Sequence, residues 1–98
     1  MLRRPYAVYV LTNHRHTTLY IGVTRDLVRR LHQHRAGTGS TFVRRYHLDQ
    51  LVHVEFYDEA RWAIEREKQL KAGNRARKVA LIERGNPEWR DLSEPYTS

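Results

Sequence analysis

Glu67 is a carboxylate on what should be a buried stripe. Helical periodicity over residues 58–73 gathers Ala60, Ala63, Ile64 and Leu70 on one face; Glu67 falls inside that face and Glu65 outside it. An ionised, unpaired carboxylate there costs several kcal/mol, so it must bind a cation, pair with a base or take up a proton. Lys71, one turn further on, would supply an ion pair. Arg30 and His34 raise a parallel question. They lie one turn apart on a basic helix, flanking a stripe of Leu27 and Leu31 with Val28 at its edge, while Arg29 and Gln33 point further away. Taken alone, they read as a boundary arginine and a hydrogen-bonded histidine. The pairs His14, His16 and His32, His34 have metal-like spacing, but the first sits in a turn. The second pair diverges around a helix, so zinc is not indicated.

The elements that must position these groups follow from alternation. In Leu19–Thr24 the aliphatics Leu19, Ile21 and Val23 share one face of a strand that feeds a core, while Tyr20, Gly22 and Thr24 share a polar, stepped face. Tyr6–Thr12 is also strand-like, and Asn13–Thr17 is short enough to close an antiparallel hairpin. A tight hairpin predicts Tyr9 opposite Tyr20 and Ala7 opposite Gly22, leaving a shallow place where a large group could approach the backbone. Thr24 or Asp26 caps the basic helix, which runs to about Ala36 before Gly37. After a flexible connector, Phe42–Tyr46 forms a short helical turn exposing Arg44 and Arg45, a phosphate-contacting loop. Leu51–Tyr57 is a third, half-buried strand with Val52, Val54 and Phe56 on one face. Asp58 caps the Glu67 helix, which ends near Ala72 and Gly73. Asn74 caps a last helix that Gly85, Asn86 and Pro87 stop. Its apolar contacts are Val79, Leu81 and Ile82, and its basic side is Arg75, Arg77 and Lys78. Trp89 and Leu92 pack back on the body, with base stacking the alternative for Trp89. The chain frays from about Ser93.

Ninety-eight residues, 40% hydrophobic, make a single domain (1–98) with one modest core and one site. The expected class is α/β of the α+β type: a small, three-stranded, mainly antiparallel sheet flanked by helices. The absence of cysteine rules out disulfides and thiolate metal sites. No stretch is apolar enough to span a membrane, and the start Met1–Pro5 lacks a secretory segment. A cytoplasmic protein is expected. A formal net charge of +7 favours a polyanionic partner, nucleic acid being the commonest.

Tyr20, Ile21, Gly22 on one strand and Ala7, Val8, Tyr9 on its neighbour resemble the two triplets that name the GIY-YIG nuclease family. The second triplet is intact; the first keeps its tyrosine and replaces the leading glycine with alanine. The resemblance extends to Arg30 and His34, to Glu67, and to the ending Leu81, Ile82, Asn86, Pro87, Trp89, Asp91, Leu92. It covers nearly the whole chain and is closest to small stand-alone members. It implies a GIY-YIG endonuclease-like fold and metal-dependent hydrolysis of DNA phosphodiesters, with DNA repair or recombination as settings. Glu67 would hold the metal, Arg30 would neutralise charge on the phosphate, and the tyrosines would orient or activate water. One carboxylate with retained waters matches magnesium. Tyr9 is the first candidate for general base, needing the metal or Arg30 to favour its phenolate, and His34 is the rival on intrinsic chemistry. Gly22, Arg44, Arg45, Lys71 and Lys78 are the candidate substrate contacts.

An asparagine that many relatives carry downstream of the glutamate has no counterpart: Asn74 comes too early and Lys78 and Val79 occupy its region, leaving Lys78 to make that phosphate contact. The second reading is a basic module that binds DNA or RNA without turnover. Tyr9, Tyr20, Arg30 and Glu67 together favour the nuclease, since binding alone needs no carboxylate in a phosphate site.

Overall fold

The computed structural model describes residues 5–97, so the expectation for the basic start at 1–4 and the end of the tail at Ser98 fall outside the described residues. The elements run β1 (Tyr6–Thr12), β2 (Leu19–Thr24), α1 (Leu27–Arg35), α2 (Thr41–Arg45), β3 (Gln50–Tyr57), α3 (Ala60–Ala72), α4 (Arg75–Gly85) and α5 (Glu94–Thr97). The sheet is antiparallel in the order β2-β1-β3.

β1 is central and buried from Ala7 to Thr12, because helices cover both faces of the sheet. Ala7, Tyr9 and Leu11 face α1, α2 and the tail, with Leu27, Leu31, Val43, Leu48 and Leu51. Val8, Val10, Ile21 and Val52 face α3 and α4, with Ala63, Leu70 and Ile82. The face of Tyr20 expected to be polar therefore belongs to a second apolar layer. Alternation in β3 also differs from expectation. A register irregularity at Val10/Leu11 puts Val52 with one cluster and Val54 and Phe56 with the other. In α3, Ala63 and Leu70 are buried as expected, but Ile64 is exposed.

The hairpin is slipped by two residues from the tight form. Tyr9 pairs with Gly22, Leu11 with Tyr20 and Ala7 with Thr24. The cause lies in the loop, where the Asn13 carboxamide oxygen accepts from the Thr17 and Thr18 amides at 2.9 and 3.2 Å and lengthens the connection. An even slip preserves the faces, so Tyr9 and Tyr20 remain diagonal neighbours on one side.

Asp26 caps α1 by accepting from the Arg29 amide, Ser40 caps α2, and Asn74 caps α4. The cap of α3 is Glu59 rather than Asp58, and its carboxylate serves Trp62 Nε1. α3 is fixed on β3 by Glu55, which receives Arg66 through Nε at 2.8 Å and Nη2 at 3.1 Å, with His53 and Tyr57 each at 2.7 Å. Burial opposes the Glu55 charge, but these donors prevail and hold its carboxyl well below the usual range.

The tail expected to fray folds back instead. Ser93 is buried, Tyr96 rests on Phe56, and Arg35 donates to the Ser93 hydroxyl at 2.5 Å. Trp89 packs inward and stacks on His16 with ring centres 4.8 Å apart, an intramolecular partner in place of a base. Asn86, buried behind α4, donates to the Val52 and Arg90 carbonyls and accepts from the Arg90 amide. Asn86→Ala would leave these groups unmet and should lower the unfolding free energy by more than about 2 kcal/mol in denaturant titration. A loss below about 0.5 kcal/mol would show that the tail does not depend on this amide.

Candidate active site

Tyr9 leaves β1 toward α1 and lies across the backbone of Gly22. A Cβ on Gly22 would come within 2.5 Å of both Tyr9 Cζ and the hydroxyl oxygen. The gap expected to admit a large group to the sheet is therefore filled by the Tyr9 ring itself. Its hydroxyl meets α1: Arg30 Nη1 donates to it at 3.2 Å, and His34 Nε2 lies 3.2 Å away. One helical turn between Arg30 and His34 lets both reach a single oxygen. Gly39 completes the packing, since a Cβ there would fall 2.5 Å from His34 Nδ1.

One assignment of the protons satisfies the Tyr9 hydroxyl as both donor and acceptor. Guanidinium only donates, so the Tyr9 oxygen accepts from Arg30. Tyr9 is 0% exposed, and the acceptor within reach of its own proton is His34 Nε2. That arrangement puts the imidazole proton on Nδ1, a buried atom with no hydrogen-bond partner among the described residues. Burial, then the Arg30 charge, lowers the pKa of His34 below its ordinary 6.5, so the ring is neutral at pH 7. Burial pushes Tyr9 up to about 12, against the opposing pull of Arg30, with the charges of Tyr20 and Glu67 adding to the rise. At pH 7 a phenol of that strength is ionised in about one molecule in 10⁵.

Tyr20, unlike Tyr9, is only partly buried. Its ring centre is 6.3 Å from that of Tyr9 and 6.1 Å from that of His34. With Leu19, Ile21, Phe42, Lys71 and Lys78 it lines an open cleft of about 280 Å³. Arg30 opens into a separate depression lined also by Thr24, Arg25, Asp26, Arg29 and Gln33. The guanidinium of Arg30 is partly buried and makes no ion pair with a carboxylate among the described residues. Lys78 also borders a larger groove of about 570 Å³ between α3 and α4, where Arg77 and Arg84 stand.

Glu67 is carried to the margin of this site by α3, whose rotation Arg66 sets through Glu55. Its side chain is 16% exposed, and Oε2 lies 3.4 Å from Lys71 Nζ, the ion pair expected one turn on. No group of three His, Cys, Asp or Glu side chains forms a metal cluster among the described residues. A single, mostly buried carboxylate fits an ion that keeps most of its water, as magnesium does.

The structure thus brings together Tyr9, Tyr20, Gly22, Arg30 and His34, with Glu67, Lys71 and Lys78 alongside. Arg44 and Arg45 stand on α2, with Arg44 beside His34 in a separate depression. Arg44 donates to the Gly37 carbonyl at 3.3 Å, and Arg45 rests over the Tyr46 ring at 5.7 Å. Phe42 was missed in the sequence as a cleft residue. The Glu55–Arg66 brace was also missed, because nothing in a polar strand position reveals a partner eleven residues away.

Residues 5–80 match the family model of the GIY-YIG catalytic domain. The chain belongs to the GIY-YIG family. It is 37% identical over 78 residues to a UPF0213 protein of Haloquadratum walsbyi, spanning 80% of this chain and 83% of that one. A UPF0213 protein of Natronomonas pharaonis is 39% identical over 65 residues, 66% of this chain and 76% of the relative. In fold, the chain resembles the solution NMR structure of a UPF0213 protein from Bacillus halodurans, with a TM-score of 0.58 at 24% identity. That match covers 95% of this chain and 98% of the other. GIY-YIG domains form a nuclease family, with nucleic acid as substrate and divalent metals in general use. No helix among the described residues is long and apolar enough to cross a membrane.

Two measurements check the packing of the GIY-YIG site. Gly22→Ala should destabilise the fold by about 1–3 kcal/mol through overpacking against Tyr9, and unchanged stability would mean the ring does not cross Gly22. Because the folded pKa of His34 is below 6.5, the unfolded chain binds more protons just under that pH. The contribution of His34 to stability is therefore full above about 6.5 and is lost as pH falls through the folded value. His34→Gln should flatten that part of the stability–pH curve; an unaltered slope would place His34 in solvent.

Proposed function

We propose that this protein is a divalent-metal-dependent endonuclease that hydrolyses DNA phosphodiester bonds at the surface between Arg30 and Glu67. The observation that carries this reading is Arg30: a partly buried cation, oriented by a buried hydroxyl and lacking a carboxylate partner among the described residues. A structural arginine at such a depth is normally paired. A phosphoryl group supplies the missing acceptor, and its developing charge is what a fixed guanidinium stabilises.

Glu67 would hold the ion, which when bound supplies an activated water and neutralises charge on the phosphate. The other roles belong to the chain's own side chains. Tyr20, at the open cleft, orients the attacking water. Tyr9 is fully buried and almost entirely protonated, so its role shifts from general base to positioning: it fixes Arg30 and donates a hydrogen bond to His34. Lys71 and Lys78 bind the strand on either side of the broken bond, and the ion held by Glu67 would take the place of the Lys71 ammonium. The same cations would serve a binding module, but such a module needs neither Glu67 nor an aligned Tyr20.

Nicking of supercoiled plasmid with and without magnesium, alongside salt-dependent DNA binding, tests this reading. Glu67→Ala should abolish cleavage and leave binding equal or tighter, since a negative charge has left a phosphate site. Tyr20→Phe should lose about 10²–10⁴ in rate, and Tyr9→Phe should lose less in kcat than in stability. A larger kcat loss in Tyr9→Phe than in Tyr20→Phe would return the base role to Tyr9. Binding without nicking by wild type on every DNA form would establish the binding module instead.

A further inference from the structure

Helix α2 presents two aromatic rings to solvent. Val43 is buried and anchors the helix, whereas Phe42 and Tyr46, four residues apart on its outer side, are each 43% exposed. Their ring centres are 4.7 Å apart. Phe42 in turn stacks on Tyr20, with centres 6.1 Å apart and planes at 30°. A continuous row of rings therefore runs from the proposed catalytic surface out along α2. Cations border it at both ends: Lys71 and Lys78 across the cleft, and Arg45 over the outer ring.

An apolar protein partner would use the rings but has no need of the cations. A nucleic-acid strand uses both, with phosphates on the lysines and arginine and base faces on the rings. A paired duplex offers base edges in its grooves and keeps its faces stacked inside. The rings can be covered only by bases that are out of the helix. We infer that Tyr20, Phe42 and Tyr46 form a stacking platform for unpaired bases, so that the preferred substrate is DNA with a single-stranded segment beside the bond to be cut. The inference rests on the nuclease reading for the position of that bond. Base stacking itself stands independently of cleavage.

The test is fluorescence anisotropy without divalent metal, using a labelled oligothymidine and a blunt duplex of equal length. Phe42→Ala and Tyr46→Ala should each weaken binding of the single strand by roughly 5- to 100-fold, and binding of the duplex by much less. Phe42→Tyr should retain single-strand affinity, while Phe42→Leu, which keeps apolar bulk without a π face, should lose it. Circular dichroism of each variant confirms the fold, and the leucine variant decides the matter if alanine unfolds α2. Equal losses on both DNA forms, or no loss on either, would overturn the platform. With magnesium added, wild type should cut a flapped duplex faster than a flush one. Absence of cleavage with the binding selectivity intact would overturn the nuclease reading alone; cleavage with no single-strand preference would overturn the platform alone.

Discussion

The site depends on one oxygen. The Tyr9 hydroxyl, sealed inside the sheet–helix layer, is the point at which Arg30 and His34 meet. Its position requires a side chain to cross the neighbouring strand, and Gly22 is the residue that allows the crossing. Placing the phenol there isolates it from water and raises its pKa to about 12, which keeps it a neutral acceptor for Arg30 across the physiological range. The same burial lowers the pKa of His34 and keeps a neutral imidazole ready to take the other side of the hydrogen bond. What reaches the surface is a guanidinium whose orientation is fixed from behind and whose charge is unspent.

A second brace lies on the other face of the sheet. Glu55 gathers Arg66, His53 and Tyr57, and the bidentate contact with Arg66 sets how α3 is turned. Glu67 follows Arg66 directly, so a structural ion pair at one position fixes the proposed metal ligand about 100° further round the helix. One brace stands on the central strand β1, which is buried along nearly its whole length, and the other on the outer strand β3. Movement of either helix would displace one of the two groups, Arg30 on α1 or Glu67 on α3.

The strands, the helices and the family were legible in the sequence because alternation, caps and two short triplets are local signals. Asp26 and Asn74 cap the helices they precede, and Tyr9, Tyr20, Arg30 and His34 come together from β1, β2 and α1. Three features were not legible, for separate physical reasons. The hairpin register is set by Asn13 bonding within its own loop, which a count of connector residues does not reveal. The irregularity opposite Val10 and Leu11 changes the face of Val52 without any glycine or proline to announce it. The burial of Tyr9, and with it the transfer of the surface role to Tyr20, depends on which tyrosine points beneath the other, a matter of tertiary packing.

The placement of protons around Tyr9 is the central physical claim, and long-range ¹H–¹⁵N spectroscopy of the histidine rings at pH 7 tests it most directly. His34 should show a protonated Nδ1 and an unprotonated Nε2 that accepts the Tyr9 hydroxyl, and replacing Tyr9 with phenylalanine should shift Nε2 alone. A protonated Nε2, or a His34 that titrates at 6.5 or above, would contradict it. In that case the hydroxyl would be held by two donors, and the hydrogen bond assigned from Tyr9 to His34 would have to be abandoned.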